Sequence, residues 1–305
     1  MSRSGPDQEL RRLKTEAANT ASTALDERST LEIINIIHAE DSKVAVAIEP
    51  ALPAIARAVD LIAEALANGG RLIYVGAGTA GRIAALDAAE CPPTFNTDPA
   101  QVQFVVAGGE KALGRAREIS EDSRSAGVKD IRRRKPTKRD VVVGISASGR
   151  TPYTVAAIKY AKQAGATVLA VTNNHRTELE EIADIAIVAE VGPEVIAGST
   201  RMKAGSAQKM ILNMLSSAAM VRLGKVYGNL MVNVHPKNSK LLERGIWILQ
   251  SAAGVDRQTA MKTLRKTRSV PEALVMLKAG VGAAEARRRL KASSGHVRRA
   301  IVLDQ

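Results

Sequence analysis

Aromatic residues are scarce in this chain of 305 residues, which contains two Phe, one Trp and four Tyr. Alanine and the branched aliphatic residues must therefore fill the hydrophobic core, and that composition suits helices packed on a buried sheet. The content of apolar residues is otherwise ordinary, so we expect a packed globular core.

Cysteine and long apolar runs are also lacking. Cys91 is the only cysteine, which excludes an intramolecular disulfide and a cysteine-based zinc cluster, and favours a reducing compartment. The N-terminal stretch MSRSGPDQELRRLKTE has no apolar segment of the kind that signal peptides carry. No run of about 18 apolar residues occurs, as a membrane span would need. We expect a cytoplasmic protein that does not bind a membrane.

The charge balance is strongly positive, with 44 Lys and Arg against 31 Asp and Glu, or +13. Such a charge is compatible with an RNA or DNA partner, with anionic small substrates, or with a basic host proteome. Two basic runs stand out, Arg132–Arg139 and Arg287–Lys291, and neither contains an aromatic residue on which a base could stack. We interpret the first as a solvated loop and the second as an exposed helix end, and expect no nucleic-acid partner.

Short β-branched runs alternate with stretches of helical spacing between residues 71 and 192. Nearly continuous apolar strands separated by helices indicate a parallel sheet covered on both faces. The fold class is therefore predicted as α/β, a three-layer α/β/α sandwich. The predicted strands are Leu72–Val75, Val102–Val106, Val141–Ile145, Val168–Val171 and Ile185–Val188, and the helices between them include Ile83–Glu90, Ala112–Ala126 and Thr154–Ala164.

Three regions are predicted: an N-terminal helical arm over residues 1–52, a sheet domain over 53–234, and a small helical bundle over 235–305. The polar segment His235–Lys240 contains a proline and marks the second boundary. Helical spacing continues beyond it, and Asp256 is placed to cap one of the bundle helices. The predicted helices outside the sheet region are Pro53–Asn68, Met202–Leu223, Lys240–Ala253, Asp256–Arg265, Pro271–Lys278 and Ala283–Lys291.

Two predicted strands end in small, polar, glycine-rich turns that lead into helices. These turns are GAGTAGR at Gly76–Arg82 and SASGRTP at Ser146–Pro152. The carboxyl ends of parallel strands are where α/β proteins bind ligands, and the N–H groups of a helix start favour an anion. Each turn alone is a weak signal, but the pair favours a monophosphate over a dinucleotide. The candidate binding residues are Gly78, Thr79, Ser146, Ser148, Gly149, Arg150 and Thr151.

A third segment of similar character runs from Gly192 to Lys203. Ser199 and Thr200 open a long predicted helix there. Arg201 and Lys203 are compatible either with pairing to an anion or with a helix start that carries basic side chains. Ser199, Thr200 and Lys203 are added to the candidate binding residues. The four histidines share no metal-ligand spacing, so we expect neither a metal nor a cofactor.

At these residues the sequence resembles a known group. The two Ser/Thr turns look like those of the sugar isomerase (SIS) domain, and GPEVIAGSTRMKAG is similar to a signature shared by the glucokinase regulatory protein and the N-acetylmuramic acid 6-phosphate etherases. DAAECPPTF at Asp87–Phe95, SASGRTPY and YGNLMV resemble the etherases specifically. The resemblance extends from Thr15-Glu16 to nearly the end of the chain.

The resemblance implies an enzyme that cleaves the D-lactyl ether of N-acetylmuramic acid 6-phosphate, releasing N-acetylglucosamine 6-phosphate and D-lactate in cell-wall recycling. It also implies a metal-free homodimer with an SIS core and a small, UBA-like C-terminal helical region. Glu90, in ECPPTF, corresponds to the family's proton donor, and Glu121, in EDS, to its second catalytic carboxylate. One departure is Ala80, where the family usually has Ser, so one hydroxyl donor is missing.

Both glutamates have local features that bear on these roles. We expect the helix that carries Glu90 to end there, because Cys91 precedes Pro92-Pro93. A helix C-terminus would favour the protonated carboxyl that an acid needs. Glu121 is predicted to lie on a helix beside Asp122 and Glu118, as the base that removes the C2 proton.

Two other classes of function stay open. A non-catalytic sugar-phosphate sensor, the role of the glucokinase regulatory protein, would share the SIS signature, but that protein is longer and has tandem SIS domains. A phosphosugar-responsive DNA regulator would need a helix-turn-helix before the SIS domain, and the first fifty residues show no convincing one.

Overall fold

The computed structural model describes residues 13–115, 120–234 and 239–303. The chain forms two compact units, one of Met1–Ala88 and Ala100–Ser216, the other of Ala89–Pro99 and Ser217–Gln305. Residues 235–238, where the sequence suggests a boundary, lie outside the described ranges. The predicted division at residues 52 and 234 stays a prediction.

The first unit is built on a five-stranded parallel sheet in the order β2-β1-β3-β4-β5. The predicted α/β class is confirmed, and each strand lies within one residue of its predicted position. The strands are β1 (Leu72–Gly76), β2 (Val102–Val106), β3 (Val141–Ile145), β4 (Thr167–Thr172) and β5 (Ile185–Val188). Because the chain leaves β1 for β2 on one side and returns to β3 on the other, the strand order reverses between β1 and β3. Ligands of open α/β sheets bind at such a reversal.

Helices surround this sheet because its strands are largely apolar. Every residue of β1 and β3 is buried, and Tyr153, Val155 and Ile158 of one helix pack into the same cluster. The described helices of this unit are α1 (Thr30–Asp41), α2 (Val44–Ile48), α3 (Leu52–Ala67), α4 (Gly78–Phe95), α5 (Lys111–Gly114), α6 (Arg124–Arg134), α7 (Pro152–Gln163), α8 (Glu178–Ile182) and α9 (Lys203–Arg222), and both α4 and α9 continue into the second unit.

The described part of the N-terminal segment begins at residue 13. It makes three short 3₁₀ turns, Lys14–Glu16, Thr20–Ser22 and Leu25–Glu27, before α1 begins. Ser29 and Glu32 form a capping box that satisfies the first N–H groups of α1. Leu31 and Ile34 are 68% and 56% exposed on this helix.

The second unit contains five described helices after residue 234: α10 (Ser239–Ala253), α11 (Arg257–Thr267), α12 (Val270–Ala279), α13 (Ala283–Ala292) and α14 (Val297–Val302). The first four match the predicted helices closely, and α14 was not predicted. Ile246, Leu249, Leu264 and Leu274 are buried in their common core. Trp247, the only tryptophan, is 57% exposed on α10.

Three local predictions are wrong. Helix α4 does not end at Glu90 but runs to Phe95, where Asn96 adopts a left-handed φ of 54°. Pro92 and Pro93 remove two N–H donors, but their carbonyl groups still accept, and Asn96 N–H donates to the Pro92 oxygen at 2.9 Å. Glu121 lies in the turn before α6 and not on a helix. The basic residues 132–134 form the last turn of α6, so only residues 135–140 are loop.

No helix within the described ranges is long and apolar enough to cross a bilayer.

Candidate active site

A pocket of about 340 Å³ lies at the point where the strand order reverses. Both turns singled out in the sequence contribute to it, because they follow β1 and β3 at the same edge of the sheet. Of the predicted site residues, those lining it are Gly78, Thr79, Glu121, Ser146, Ser148, Thr151 and Thr200. They come from four separate segments of the first unit.

Hydroxyl groups are concentrated in the turn after β3. Ser146 Oγ lies 2.8 Å from Thr151 Oγ1 and 3.3 Å from Ser148 Oγ. The turn is also held by the Gly149 N–H, which donates to Ser146 Oγ at 3.1 Å. Three hydroxyl groups thus stand together at one wall of the pocket, with α7 beginning directly after Thr151. Neutral donors beside a helix N-terminus suit a phosphate group.

Glycine is required at position 149 for two reasons. Its φ is +64°, and a Cβ there would lie 2.3 Å from Thr177 Oγ1. Gly149 therefore shapes the turn and does not line the pocket. Its neighbour Arg150 is half-buried, donates its backbone N–H to Ser148 Oγ at 3.2 Å, and is not a lining residue.

Helix α4 begins at the opposite wall with Gly78. A Cβ on Gly78 would lie 2.7 Å from Glu121 Oε1, so the Glu121 carboxylate rests against the backbone at the start of α4. The Glu121 carbonyl oxygen accepts the Tyr153 N–H at 3.0 Å, which links its turn to the first residues of α7. Glu121 is therefore positioned by both helices whose N-termini reach the pocket.

The start of α9 behaves differently from those of α4 and α7. The carboxylate of Glu194 accepts the N–H groups of Lys203 and Ala204 at 2.9 Å each, so the protein's own acid occupies this helix N-terminus. Burial raises the pKa of Glu194, while those two backbone hydrogen bonds lower it, and the net direction is upward. An external anion is thus expected at α4 and α7 but not at α9.

Lys203 lies inside the protein, away from the pocket lining. It is 2% exposed, and its ammonium donates to Glu40 Oε2 at 2.6 Å. Burial would raise the pKa of Glu40, but hydrogen bonds from Lys203, Lys43 and Asn19 outweigh that effect and hold it at about 2. Of the two interpretations of Lys203, the position favours a structural role that ties α1 to α9. Ser199 is half-buried and does not line the pocket.

A buried polar cluster fixes the orientation of α4. Asp87 accepts hydrogen bonds from the Tyr74 hydroxyl at 2.9 Å, the Asn213 amide at 2.6 Å and the Ser216 hydroxyl at 3.0 Å. Burial raises the pKa of Asp87, and the three donors partly offset the rise. The cluster connects α4 with β1 and α9.

Glu90 is exposed on α4 and is not among the residues that line the pocket. The expectation that Glu90 lies at a helix C-terminus is not met, because α4 continues to Phe95.

Two residues of the pocket lining were not predicted from the sequence. Glu16, from the first 3₁₀ turn, and Gln208, from α9, both line the pocket. Gln208 is buried and donates to Asn173 Oδ1 at 3.1 Å. In the sequence, only the family resemblance at Thr15-Glu16 drew attention to the N-terminal segment. Local sequence patterns do not show which distant segments come together in the fold.

Comparison with known proteins decides the family. A protein from Edwardsiella ictaluri, named N-acetylmuramic acid 6-phosphate etherase, is 54% identical over 95% of this chain and 97% of its own length. A protein of the same name from Symbiobacterium thermophilum is 55% identical over 90% of this chain and 91% of its own. The chain belongs to the N-acetylmuramic acid 6-phosphate etherase family.

Domain profiles and solved structures agree with the sheet unit of this etherase-family chain. Residues 54–162 match the glucokinase regulatory protein N-terminal SIS domain, and residues 134–218 match the SIS domain. The structure of a phosphoheptose isomerase from Francisella tularensis superposes with a TM-score of 0.51 at 18% identity, covering 64% of this chain and all of that one. That similarity concerns the fold alone.

Proposed function

We propose that this chain cleaves the D-lactyl ether of N-acetylmuramic acid 6-phosphate, giving N-acetylglucosamine 6-phosphate and D-lactate. The observation that carries the proposal is a single pocket, at the sheet's point of reversal, that combines the Glu121 carboxylate with three clustered hydroxyl groups. Membership of the etherase family supports the choice of substrate. The proposed reaction class is that of a carbon–oxygen lyase.

The phosphate is proposed to bind at Ser146, Ser148 and Thr151, beside the start of α7. Their hydroxyl groups can turn to donate, and the partial positive charge of the helix N-terminus adds attraction. With the phosphate held there, the sugar extends across the pocket toward Gly78 and Glu121. This orientation presents the sugar carbons to a carboxylate.

The proposed chemistry is an elimination followed by addition of water. In the open-chain sugar the ether oxygen on C3 lies beta to the C1 aldehyde. Glu121 takes the C2 proton, and the resulting enolate expels lactate as the C3–O bond breaks. Glu90 gives a proton to the departing oxygen. Water then adds at C3, losing a proton to Glu90, while C2 regains a proton from Glu121, so the net change is hydrolysis.

A homodimer is part of this proposal. Leu31 and Ile34 on α1, and Val46 on α2, are exposed aliphatic side chains that a second copy would cover. Because Glu90 is not among the described residues that line the pocket, we propose that the acid at each pocket is Glu90 of the partner subunit. The cytoplasmic location stays a prediction.

Turnover in deuterated water tests the base. Wild type should release lactate and exchange the C2 hydrogen, while Glu121→Gln should lose both by a factor of about 10²–10⁴. Asp122→Asn is the matched control, because Asp122 is the exposed neighbour and does not line the pocket. Full exchange in Glu121→Gln would remove the residue from this role.

The same assay separates the enzyme from a sensor. The match to the glucokinase regulatory protein domain favours sugar-phosphate binding as the second candidate function. A wild-type protein that binds the sugar phosphate tightly but releases no lactate would establish that alternative.

A further inference from the structure

Glu16 places a third acidic group at the edge of the candidate active site. It ends the first 3₁₀ turn, is half-buried, and lines the same pocket as Glu121. Its Oε2 atom lies 3.2 Å from the point that a Cβ on Gly198 would occupy, so the side chain rests against the loop that precedes α9. Among the described residues that line the pocket, Glu16 and Glu121 are the only acids.

The backbone beside Glu16 is anchored by one side chain. The Asn174 amide oxygen accepts the Lys14 N–H at 2.9 Å, and its amide nitrogen donates to Thr15 Oγ1 at 3.0 Å. Thr15 is fully buried. The same Asn174 nitrogen also donates to the Ala147 carbonyl at 2.9 Å, within the Ser146–Thr151 turn. Asn174 therefore ties the N-terminal segment directly to the turn proposed to hold phosphate.

This anchoring does not use the Glu16 carboxylate. Lys14 and Thr15 make the contacts that dock the segment, and Lys14 Nζ adds an ion pair with Glu190 at 2.9 Å. Within the described ranges, the carboxylate of Glu16 has no hydrogen-bond partner in the protein. Lys14 and Thr15 hold the segment in place, so the Glu16 carboxylate, which can only accept hydrogen bonds, is left to line the pocket.

We propose that Glu16 is a substrate-binding residue that accepts hydrogen bonds from hydroxyl groups of the sugar. A carboxylate repels a phosphate dianion but accepts from neutral hydroxyl donors, and such charge-assisted bonds are strong. Glu16 thereby sets the orientation of the sugar in the pocket. This inference rests on the proposed function, because it takes a phosphosugar as the ligand.

Binding by calorimetry tests the assignment without turnover. The probes are N-acetylglucosamine 6-phosphate and inorganic phosphate, and the variants are Glu16→Ala and Glu16→Gln. Glu16→Ala should weaken binding of the sugar phosphate about ten- to a hundredfold, as expected for the loss of a hydrogen bond to a charged group. Binding of inorganic phosphate should not weaken, because the hydroxyl cluster is untouched. Glu27→Gln, an exposed acid in the same segment outside the pocket lining, is the matched control.

Two results would overturn the proposal. One is an unchanged Kd for the sugar phosphate in both Glu16 variants, and the other is an equal loss for both probes, which would indicate general disturbance of the turn. If Glu16→Ala does not fold, Glu16→Gln keeps the side-chain size and should show a smaller loss confined to the sugar phosphate. Since these are binding constants, a wild type that binds but releases no lactate refutes the etherase while leaving the Glu16 result valid.

Discussion

At residue 78 a side chain would crowd the proposed catalytic base. Gly78 has a φ of +51°, and a Cβ there would lie only 2.7 Å from Glu121 Oε1. The absence of a side chain is thus a requirement of the proposed base. The glycine was identified from sequence as an anion-binding turn residue, whereas its relation to Glu121 depends on the fold.

We therefore expect Gly78→Ala to lower kcat strongly and the free energy of unfolding only modestly. The left-handed backbone would cost about 1–2 kcal/mol, but displacement of the carboxylate by about 1 Å is expected to lower kcat about a hundredfold. Gly109→Ala is the matched control, since Gly109 also has a positive φ and no atom within 4 Å of the added carbon. Similar kcat values for the two variants would contradict this account of Gly78.

Position 80 offers a gain of function. Ala80 lines the pocket in the first turn of α4, at the position where the resemblance to the etherases implies Ser. Ala80→Ser adds a hydroxyl donor at the substrate, and a single hydrogen bond of about 0.5–1.5 kcal/mol corresponds to a KM about two- to tenfold lower. Initial rates of lactate release measure this. A KM that rises instead would show that the chain has adapted its pocket to alanine.

At the scale of elements, the beginning of α9 is held by buried charges. Glu194 caps its N–H groups, and Lys203 connects it to Glu40 at the end of α1. These contacts lie within the GPEVIAGSTRMKAG stretch, whose Ser/Thr and basic residues suggested a ligand site. Glu194 and Lys203 secure the helix, and only Thr200 of the three predicted residues lines the pocket.

Removing the Lys203 ammonium should leave Glu40 buried without its main partner. Lys203→Met is expected to lower the free energy of unfolding by about 3–5 kcal/mol near neutral pH. Lys43→Met, which removes a largely exposed partner of the same carboxylate, should cost less than about 1 kcal/mol. Urea unfolding measures both, and comparable losses would refute the distinction.

The effect should also depend on pH in a defined direction. The folded pKa of Glu40 is lowered from 4.5 to about 2, so its contribution to stability is complete above pH 4.5 and is lost as the pH falls toward 2. The difference between wild type and Lys203→Met should shrink over that interval.

Sequence patterns predicted the sheet well because each strand is a short apolar run bounded by turn residues, as Val141–Ile145 illustrates. They failed where the local structure depends on a tertiary contact, or where a helix tolerates a residue that usually ends it. Two prolines do not end α4, and Glu121 lies in a turn although the surrounding letters have helical spacing. Glu16 reaches the pocket through Asn174, 158 positions away, and no local pattern contains that information.

For the whole molecule, the proposed dimer makes a specific prediction. Glu90→Gln and Glu121→Gln should each be inactive alone, but co-expressed chains should regain about a quarter of wild-type turnover, because mixed dimers contain one intact pocket. Adding Ile34→Asp to both chains should abolish the recovery by disrupting the apolar α1 surface, whereas Asn35→Asp, exposed on the same helix, should not. No recovery would place both carboxylates on one chain.

Charge is also unevenly distributed along the molecule. Residues 217–305 contain 17 Lys and Arg against 5 Asp and Glu, while the preceding 216 residues are nearly balanced. A host proteome that is basic throughout, one of the explanations considered for the net charge, would not concentrate the positive charge in one part of the chain. The positive charge therefore characterises the C-terminal part of the chain and not the pocket, where Arg82 is the one basic residue among the described residues of the lining.

The position of Trp247 has a practical consequence for spectroscopy. Because the chain has one tryptophan and it lies on α10, its fluorescence reports on the helical unit alone. Circular dichroism at 222 nm, by contrast, averages over the helices of both units. Superimposable melting curves from the two signals would mean that the units unfold as one, and separated midpoints would give each its own stability without any added label.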